Sequence, residues 1–313
     1  MSKQITRRQH YVPQFYLNKW VNQEGGFYPI KIVSKDPPVL EVFDNQSNVS
    51  SFCNENFFYA QHTGKADKIS QDIEDMFTSM EGDFSSVLPA IEEKILTNQQ
   101  ITPCDKYLLS EFMIFIWLRG KHYRQQSVKM TEDVVKKINK FLVYDIDKDK
   151  KIKKKMDELG LTKEDMIKFV EKGDYSVDFG NMHHLEIMLD MKGFCNILSA
   201  KYWKILISRD GKFITTDTPY LDMPVSKTFW GNNFLSRKQS FILSPNIFII
   251  ALNPNNDYCK KIKRKDISLN LPYIQQINLH NLMNSIKFGF HQDRELLEGL
   301  KENIVSVYNN HKR

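Results

Sequence analysis

His10, Glu81, Arg119 and Asp217 are one imidazole, one guanidinium and two carboxylates from four distant stretches of a 313-residue chain. An imidazole titrates near neutral pH, which suits His10 to general acid or base work. A guanidinium keeps its proton and forks onto two oxygens, which suits Arg119 to the charge of a phosphate. Asp217 and Glu81 would orient those groups or hold a divalent ion such as Mg2+. Together they are the equipment of phosphodiester chemistry. Tyr11 and Gln14 stand beside His10, and Lys148, Lys150 and Lys151 open a basic run, so these five are candidate substrate-binding residues. Each catalytic candidate also has an ordinary use. A buried arginine pairs with a carboxylate, a histidine bonds a backbone carbonyl, and an aspartate before Thr-Pro closes a local turn.

The pattern of apolar residues says which elements must carry these groups. Residues 9–12 read as a short extended segment running into a helix that opens at Pro13, whose fixed φ suits a first turn. His10 therefore sits at a strand-to-helix junction. Residues 27–34 and 39–44 read as strands about Asp36-Pro37-Pro38, with 57–60 extending the sheet. From 70 to 96, Ile73, Met76, Phe77, Met80, Phe84, Val87, Leu88, Ile91 and Ile95 recur at helical spacing. Glu81 lies on the flank of that stripe, about 80° from Ile73. A second, more apolar helix is expected over 105–126. There Arg119 falls about 20° from Phe112, in the middle of the apolar face, while Lys106, Glu111, Lys121 and Arg124 lie opposite.

Further on, residues 181–200 read as a helix, and 204–208 and 213–216 as two arms of a hairpin turning at Asp210-Gly211. Asp217 ends the second arm, with the backbone before Pro219 held extended. Residues 239–243 and 247–253 add strands, and 296–308 a closing helix. The expected fold class is α+β: a mainly antiparallel sheet packed with long helices, forming one large domain over 1–313. Residues 128–180 form a lysine-rich helical insertion within it, with helix starts at Thr131 and Thr162. His10, Arg119 and Asp217 are expected to meet in one hydrogen-bonded cluster, with Glu81 at its edge.

Composition narrows the classes. Hydrophobic residues at 41% and charged residues at 26% describe a folded chain rather than a disordered one. No apolar run approaches the ~20 residues of a membrane span, so no membrane partner and a cytoplasmic location are expected. The cysteines, Cys53, Cys104, Cys195 and Cys259, include no C-x-x-C pair for a zinc ribbon or dithiol. H-E-x-x-H, G-x-x-x-x-G-K-[ST], G-x-S-x-G and G-x-G-x-x-G are all absent, which removes local support for zincins, P-loop NTPases, α/β-hydrolases and dinucleotide enzymes. The net charge is +6, and Lys148, Lys150, Lys151, Lys153, Lys154 and Lys155 put six lysines within eight residues. Such a tract contacts phosphates without reading bases, because it lacks interleaved arginine and aromatic groups.

His10-Tyr11-Val12-Pro13-Gln14-Phe15-Tyr16-Leu17 resembles the opening signature of family 4238 of the domains of unknown function. A helix from Ile73-Glu74 to Glu81-Gly82, Arg119 late in an apolar helix, Phe213-Ile214-Thr215-Thr216-Asp217-Thr218-Pro219 and Leu243-Ser244-Pro245 resemble that family's later motifs, in the same order. Thr-Asp-Thr-Pro stands here where Ser-Asp-Asn-Pro is usual, and Ile242 precedes Leu-Ser-Pro. The resemblance implies a mostly bacterial family and no activity. The function expected from the residues is a nuclease-like effector on RNA or DNA, with nucleic acid held by the lysine-rich insertion, and the resemblance to a mostly bacterial family implies a defence or toxin setting. Two alternatives stay open. One is a non-catalytic module that binds a partner protein, its His, Arg and Asp forming a buried polar network. The other is a nucleotide-processing enzyme.

Overall fold

The computed structural model describes residues 6–62, 69–70, 72–177, 191–223, 238–253 and 262–311. The fold is α+β. The chain opens with β1 (Arg8–His10) and passes through Pro13 into a single helical turn, α1 (Gln14–Leu17). Next come β2 (Gly26–Lys35) and β3 (Pro38–Val42), which pair antiparallel, and the short β4 (Ser47–Asn48) against β2. β5 (Asn54–Asn56) returns to β1, setting His10 opposite Asn54. Residues 57–60 do not extend a sheet. Phe57 takes a left-handed φ of 55°, which turns the chain out of the ladder. A two-stranded ribbon, β6 (Gln61–His62) with β7 (Ile69–Ser70), precedes the long helices.

α2 (Asp72–Leu96) buries Ile73, Phe77, Phe84, Leu88, Ile91 and Ile95 of the expected stripe, leaves Met76 exposed, and continues through Pro89. α3 (Pro103–Arg119) starts at a capping box in which Thr102 and Asp105 exchange side-chain and backbone bonds. It is shorter than its periodicity predicts. Gly120 is extended, with φ −68° and ψ 144°, and α4 (Lys121–Leu142) begins at once in a new direction. α5 (Lys150–Leu159) and α6 (Lys163–Lys172) follow. Thr162 caps α6 as expected, with Asp165 completing the box. Thr131 caps nothing; it lies inside α4, where its hydroxyl donates to the Ser127 carbonyl. Residues 178–180 of the expected insertion, and 181–190 of the helix expected after it, lie outside the described residues.

α7 (Met191–Ala200) leads into β8 (Tyr202–Ile207), β9 (Thr215–Thr216), β10 (Tyr220–Met223), β11 (Lys238–Ser244), β12 (Ile247–Leu252) and β13 (Ile262–Asp266). One sheet has the order β10-β11-β12-β8-β13, antiparallel except for β13 on β8. The Asp210-Gly211 hairpin is therefore not formed. Gly211 does make a tight turn at φ 63°, but β8 already has β12 and β13 on its two edges. β9 crosses to a second sheet, after α8 (Leu271–Asn284), β14 (Phe288–His291) and α9 (Arg294–His311) complete the chain. That sheet runs β3-β2-β14-β9, with β4 also on β2. Two sheets thus replace the one expected.

Burial follows this division. Ile30, Ile32 and Leu40 pack with Leu282, Leu297 and Leu300, so α8 and α9 cover the second sheet. The larger core joins α1, α2 and α3 to β8, β11 and β12, through rings such as Phe84, Phe112 and Phe241. The N-terminal signature is sewn into it. Tyr16 Oη donates to the Ile242 carbonyl at 2.5 Å and sits 2.9 Å from Thr215 Oγ1, while Trp20 Nε1 donates to the Phe213 carbonyl at 2.7 Å. Tyr16 and Trp20 are fully buried, so these bonds are not shared with water. Tyr16→Phe removes both of the hydroxyl's contacts and leaves a buried carbonyl unpaired, at an expected cost of about 1–3 kcal/mol. Urea unfolding checks this; an unchanged midpoint would show that the two sheets do not depend on this bond.

Candidate functional site

Arg119 closes α3 with its side chain inward, 1% exposed. A buried guanidinium must find acceptors, and the elements around it supply them. Nη1 donates to Glu81 Oε1 of α2 at 2.5 Å, and Nη2 donates to the His10 backbone carbonyl of β1. Its plane lies 4.8 Å from the ring centres of both Phe77 and Phe115, and 5.9 Å from that of Tyr59. Burial works against its charge, and Tyr59 and Glu81 more than restore it, so its pKa rises. Tyr59 braces the same site twice. Its backbone N–H donates to Gln9 Oε1 at 2.6 Å, and its hydroxyl donates to the Arg119 carbonyl at 2.7 Å. Glu74, seven residues before Glu81 and so on the same face of α2, is held above the usual carboxylate range by burial, although Arg119 pulls it down.

His10 joins this cluster through its backbone. Its imidazole is half-buried and faces Gln14, whose Nε2 lies 3.2 Å from Nδ1 and 3.3 Å from Nε2. Burial lowers its pKa; a hydrogen bond with the Ser50 backbone opposes that, and Arg119 adds to it. The ring is neutral at pH 7. Tyr11 is not an exposed binding group. It is 7% exposed, packs on Phe58 and points its hydroxyl at the Cys53 thiol, with burial raising its pKa.

Asp217 stands apart from the arginine. Its Oδ1 accepts the Ile286 N–H at 2.9 Å, and its Oδ2 accepts those of Lys287 and Phe288 at 2.8 and 3.0 Å. Thr218 Oγ1 donates to Oδ1 at 3.3 Å. The carboxylate therefore ties the end of β9 to the loop between α8 and β14. The space beside it, walled by Val12, Trp117, His122, Tyr123 and Tyr220, holds about 10 Å³. That is about the room for one water, too little for a substrate. Of the four residues expected to meet in one bonded cluster, the structure brings together Arg119, Glu81 and the His10 carbonyl. Asp217 is bonded elsewhere.

Nor do the acidic groups suit a cation. Asp217 spends both oxygens on donors, Glu81 faces Arg119, and no group of three or more His, Cys, Asp or Glu that could hold a metal ion occurs among the described residues. Mg2+ does not fit these residues. A larger groove of about 550 Å³ runs between β5 and α4, past Phe57, Lys121, Arg124 and Glu132, and none of the four catalytic candidates lines it. Lys148, Lys150 and Lys151 belong to the separate helical lobe, exposed, with Lys148 paired to Asp145 at 2.7 Å. Sequence reasoning passed over Gln9 and Tyr59 and named Glu74 only within the family's helical motif. Alternation within β1 carried a signal for Gln9, and the seven-residue spacing to Glu81 carried one for Glu74. Tyr59 gave none, because it lies in a turn.

Removing the buried arginine should unfold the protein more readily. Arg119→Met leaves Glu81 and the His10 carbonyl without their donor, an expected cost of about 2–3 kcal/mol in urea unfolding. Asp217 adds a pH signature. Burial pushes its carboxyl up from 3.8 to about 6, against the pull of the three amides and Thr218. Between about pH 4 and 6 the unfolded chain has released this proton while the folded chain still holds it, so stability falls as pH rises through that window and levels off above it. The gap in unfolding free energy between the wild type and Asp217→Asn should accordingly narrow from pH 4 to pH 6. A widening gap would mean that the amide bonds outweigh burial.

Comparison with known proteins adds a family and no activity. The family model described as "Protein of unknown function (DUF4238)" matches residues 8–295, whereas no curated protein and no solved structure matches the chain. The matched stretch runs from β1 to the first turn of α9 and takes in every residue of both networks, the arginine's and the aspartate's, so the chain belongs to the DUF4238 family.

Proposed function

We propose that the protein is a non-catalytic interaction module, in which Arg119 and Asp217 hold the fold and the helical lobe over 121–177 receives a partner protein. One observation carries this reading. Of the sixteen large apolar side chains exposed among the described residues, ten lie between Met130 and Phe169. α4 alone presents Met130, Val134, Ile138, Phe141 and Leu142, a stripe at helical spacing, with Phe141 80% and Leu142 62% exposed. Apolar surface concentrated in this way marks contact with another protein. Phosphates would not repay its burial, so a protein partner fits the lobe better than nucleic acid does.

The nuclease reading keeps one observation in its favour. The His10 imidazole lies outside the arginine's bonds and is neutral at pH 7, as a general base must be. The guanidinium and the carboxylates that would serve it are committed inside the fold.

Two measurements separate these readings. A photo-crosslinking residue at position 141 should capture a protein in cells, while one at Val33, exposed on β2, should not. Purified protein should cleave neither RNA nor DNA faster than its His10→Ala variant. Cleavage that His10→Ala abolishes at an unchanged melting temperature would overturn the interaction reading and favour the nuclease.

A further inference from the structure

α5 and α6 form a helical hairpin with a groove between them. Asp149 caps α5 by accepting the Lys151 and Ile152 N–H groups, and Gly160 ends it at a left-handed φ of 65°. Thr162 and Asp165 then start α6 with a reciprocal box. Both ends of the connection are fixed by local bonds, so the groove is preformed. It holds about 280 Å³ and is lined by Ile152, Met156, Leu159, Leu161 and Met166, with Lys151 and Lys155 beside them. Ile152, Met156 and Leu159 follow one another at i, i+4 and i+7, the apolar face of α5. Met156 is buried at the floor, while Leu159 is 64% and Ile152 42% exposed at the sides.

Some lysines of this lobe are spent in ion pairs and others are not. Lys148 pairs with Asp145, Lys154 with Glu158 and Lys163 with Asp147. Among the described residues, neither Lys151 nor Lys155 makes an ion pair, and both are exposed at the rim of the groove. The site thus offers an apolar floor and two unspent positive charges, four residues apart along one helix.

We propose that this groove binds an acidic amphipathic helix of a partner protein, which lays leucine-like side chains on the methionine floor and sets its Asp or Glu residues against Lys151 and Lys155. The inference rests on the reading of the lobe as an interaction surface and names its partner. Its shape argues for a helix. The lobe has no strand edge among its described residues to which an extended peptide could be added, and a hydrophobic groove takes the apolar face of a helix. Its volume lies just below the roughly 300–1,000 Å³ of small-molecule sites, which suits anchoring side chains. Two methionines give the floor room to adapt to them. A bilayer would call for a convex apolar face, and a nucleic acid would leave the floor uncovered. The charge pair sets the partner's sign and register.

The test uses the full chain and a fluorescein-labelled 16-residue helical peptide with Leu at i, i+3, i+7 and i+10 and Glu at the flanking positions. Saturable binding is expected in fluorescence anisotropy. The double variant Lys151→Glu, Lys155→Glu, whose changes lie on the surface, should weaken it about tenfold or more, and a peptide with Lys in place of Glu should recover affinity for that variant. Ile152→Gln should weaken both pairings. Equal affinity for the wild type and the charge-reversed variant would overturn the inference. So would a chain that ignores the peptide but binds phosphatidylglycerol vesicles or an oligonucleotide through the same lysines. Failure here together with capture of a protein from position 141 would leave the interaction reading standing and remove only the partner named for this groove.

Discussion

Much of the arrangement follows from the burial of one guanidinium. Arg119 cannot shed its proton, so a position at 1% exposure obliges the surrounding chain to supply acceptors. Glu81 on α2 and the backbone carbonyl of His10 on β1 supply them, and Phe77 and Phe115 offer their ring faces. The contacts come from α2, β1 and the arginine's own α3, so satisfying the arginine also fixes how these three elements pack. The use of a carbonyl matters. A backbone oxygen has no alternative rotamer, so the arginine locks the path of the chain through the N-terminal signature as well as a side chain.

Asp217 does the complementary work for the other half of the molecule. Three consecutive amides, those of Ile286, Lys287 and Phe288, converge on its two oxygens where the chain leaves α8 for β14. β9 and β14 are neighbours in the second sheet, while Tyr16 reaches from α1 to Thr215 in β9 and to Ile242 in β11 of the first. One path of buried polar contacts thus runs from the N-terminal signature to both sheets. Partners of this kind are costly to lose one at a time, because each deletion leaves a buried group unsatisfied. Catalysis makes the opposite demand: the group that meets the substrate must have capacity left over. Asp217 has spent both oxygens on donors, whereas Arg119 keeps its buried Nε without a partner.

The parts of this that were legible in the sequence were the periodic ones. The stripe of α2, the inward place of Arg119 on α3 and the flank position of Glu81 all follow from a 3.6-residue repeat, and all three hold in the structure. Local chemistry served at Thr162, where the capping box formed. It misled at Asp210-Gly211, because the turn exists but the strands on either side join different sheets, and pairing across a sheet is a long-range matter that a dipeptide does not encode. Asp217 failed as a cluster member for the same reason. Its partners are backbone amides almost 70 residues later, which carry no side-chain signature. The helix at Leu271–Asn284 went unseen because its apolar residues cover both a sheet and a neighbouring helix, which leaves little polar contrast around it.

The lysine-rich lobe shows a different limit. Charge is written in the sequence, so six lysines in eight residues announce a basic surface, and phosphate is the first ligand that surface brings to mind. A helical wheel also identifies apolar faces, but it does not say whether anything covers them. In the fold, Val143, Met156 and Val170 of this lobe are buried, while Phe141, Leu142 and Leu159 remain exposed. Cation and hydrocarbon are then exposed together. A ligand made of phosphates matches only the first, and burying the second is where the larger free energy lies, at about 25 cal/mol for each Å² of apolar area covered. A partner that matches both must carry acidic and apolar groups on one face, which is a property of an amphipathic polypeptide and not of a nucleic acid.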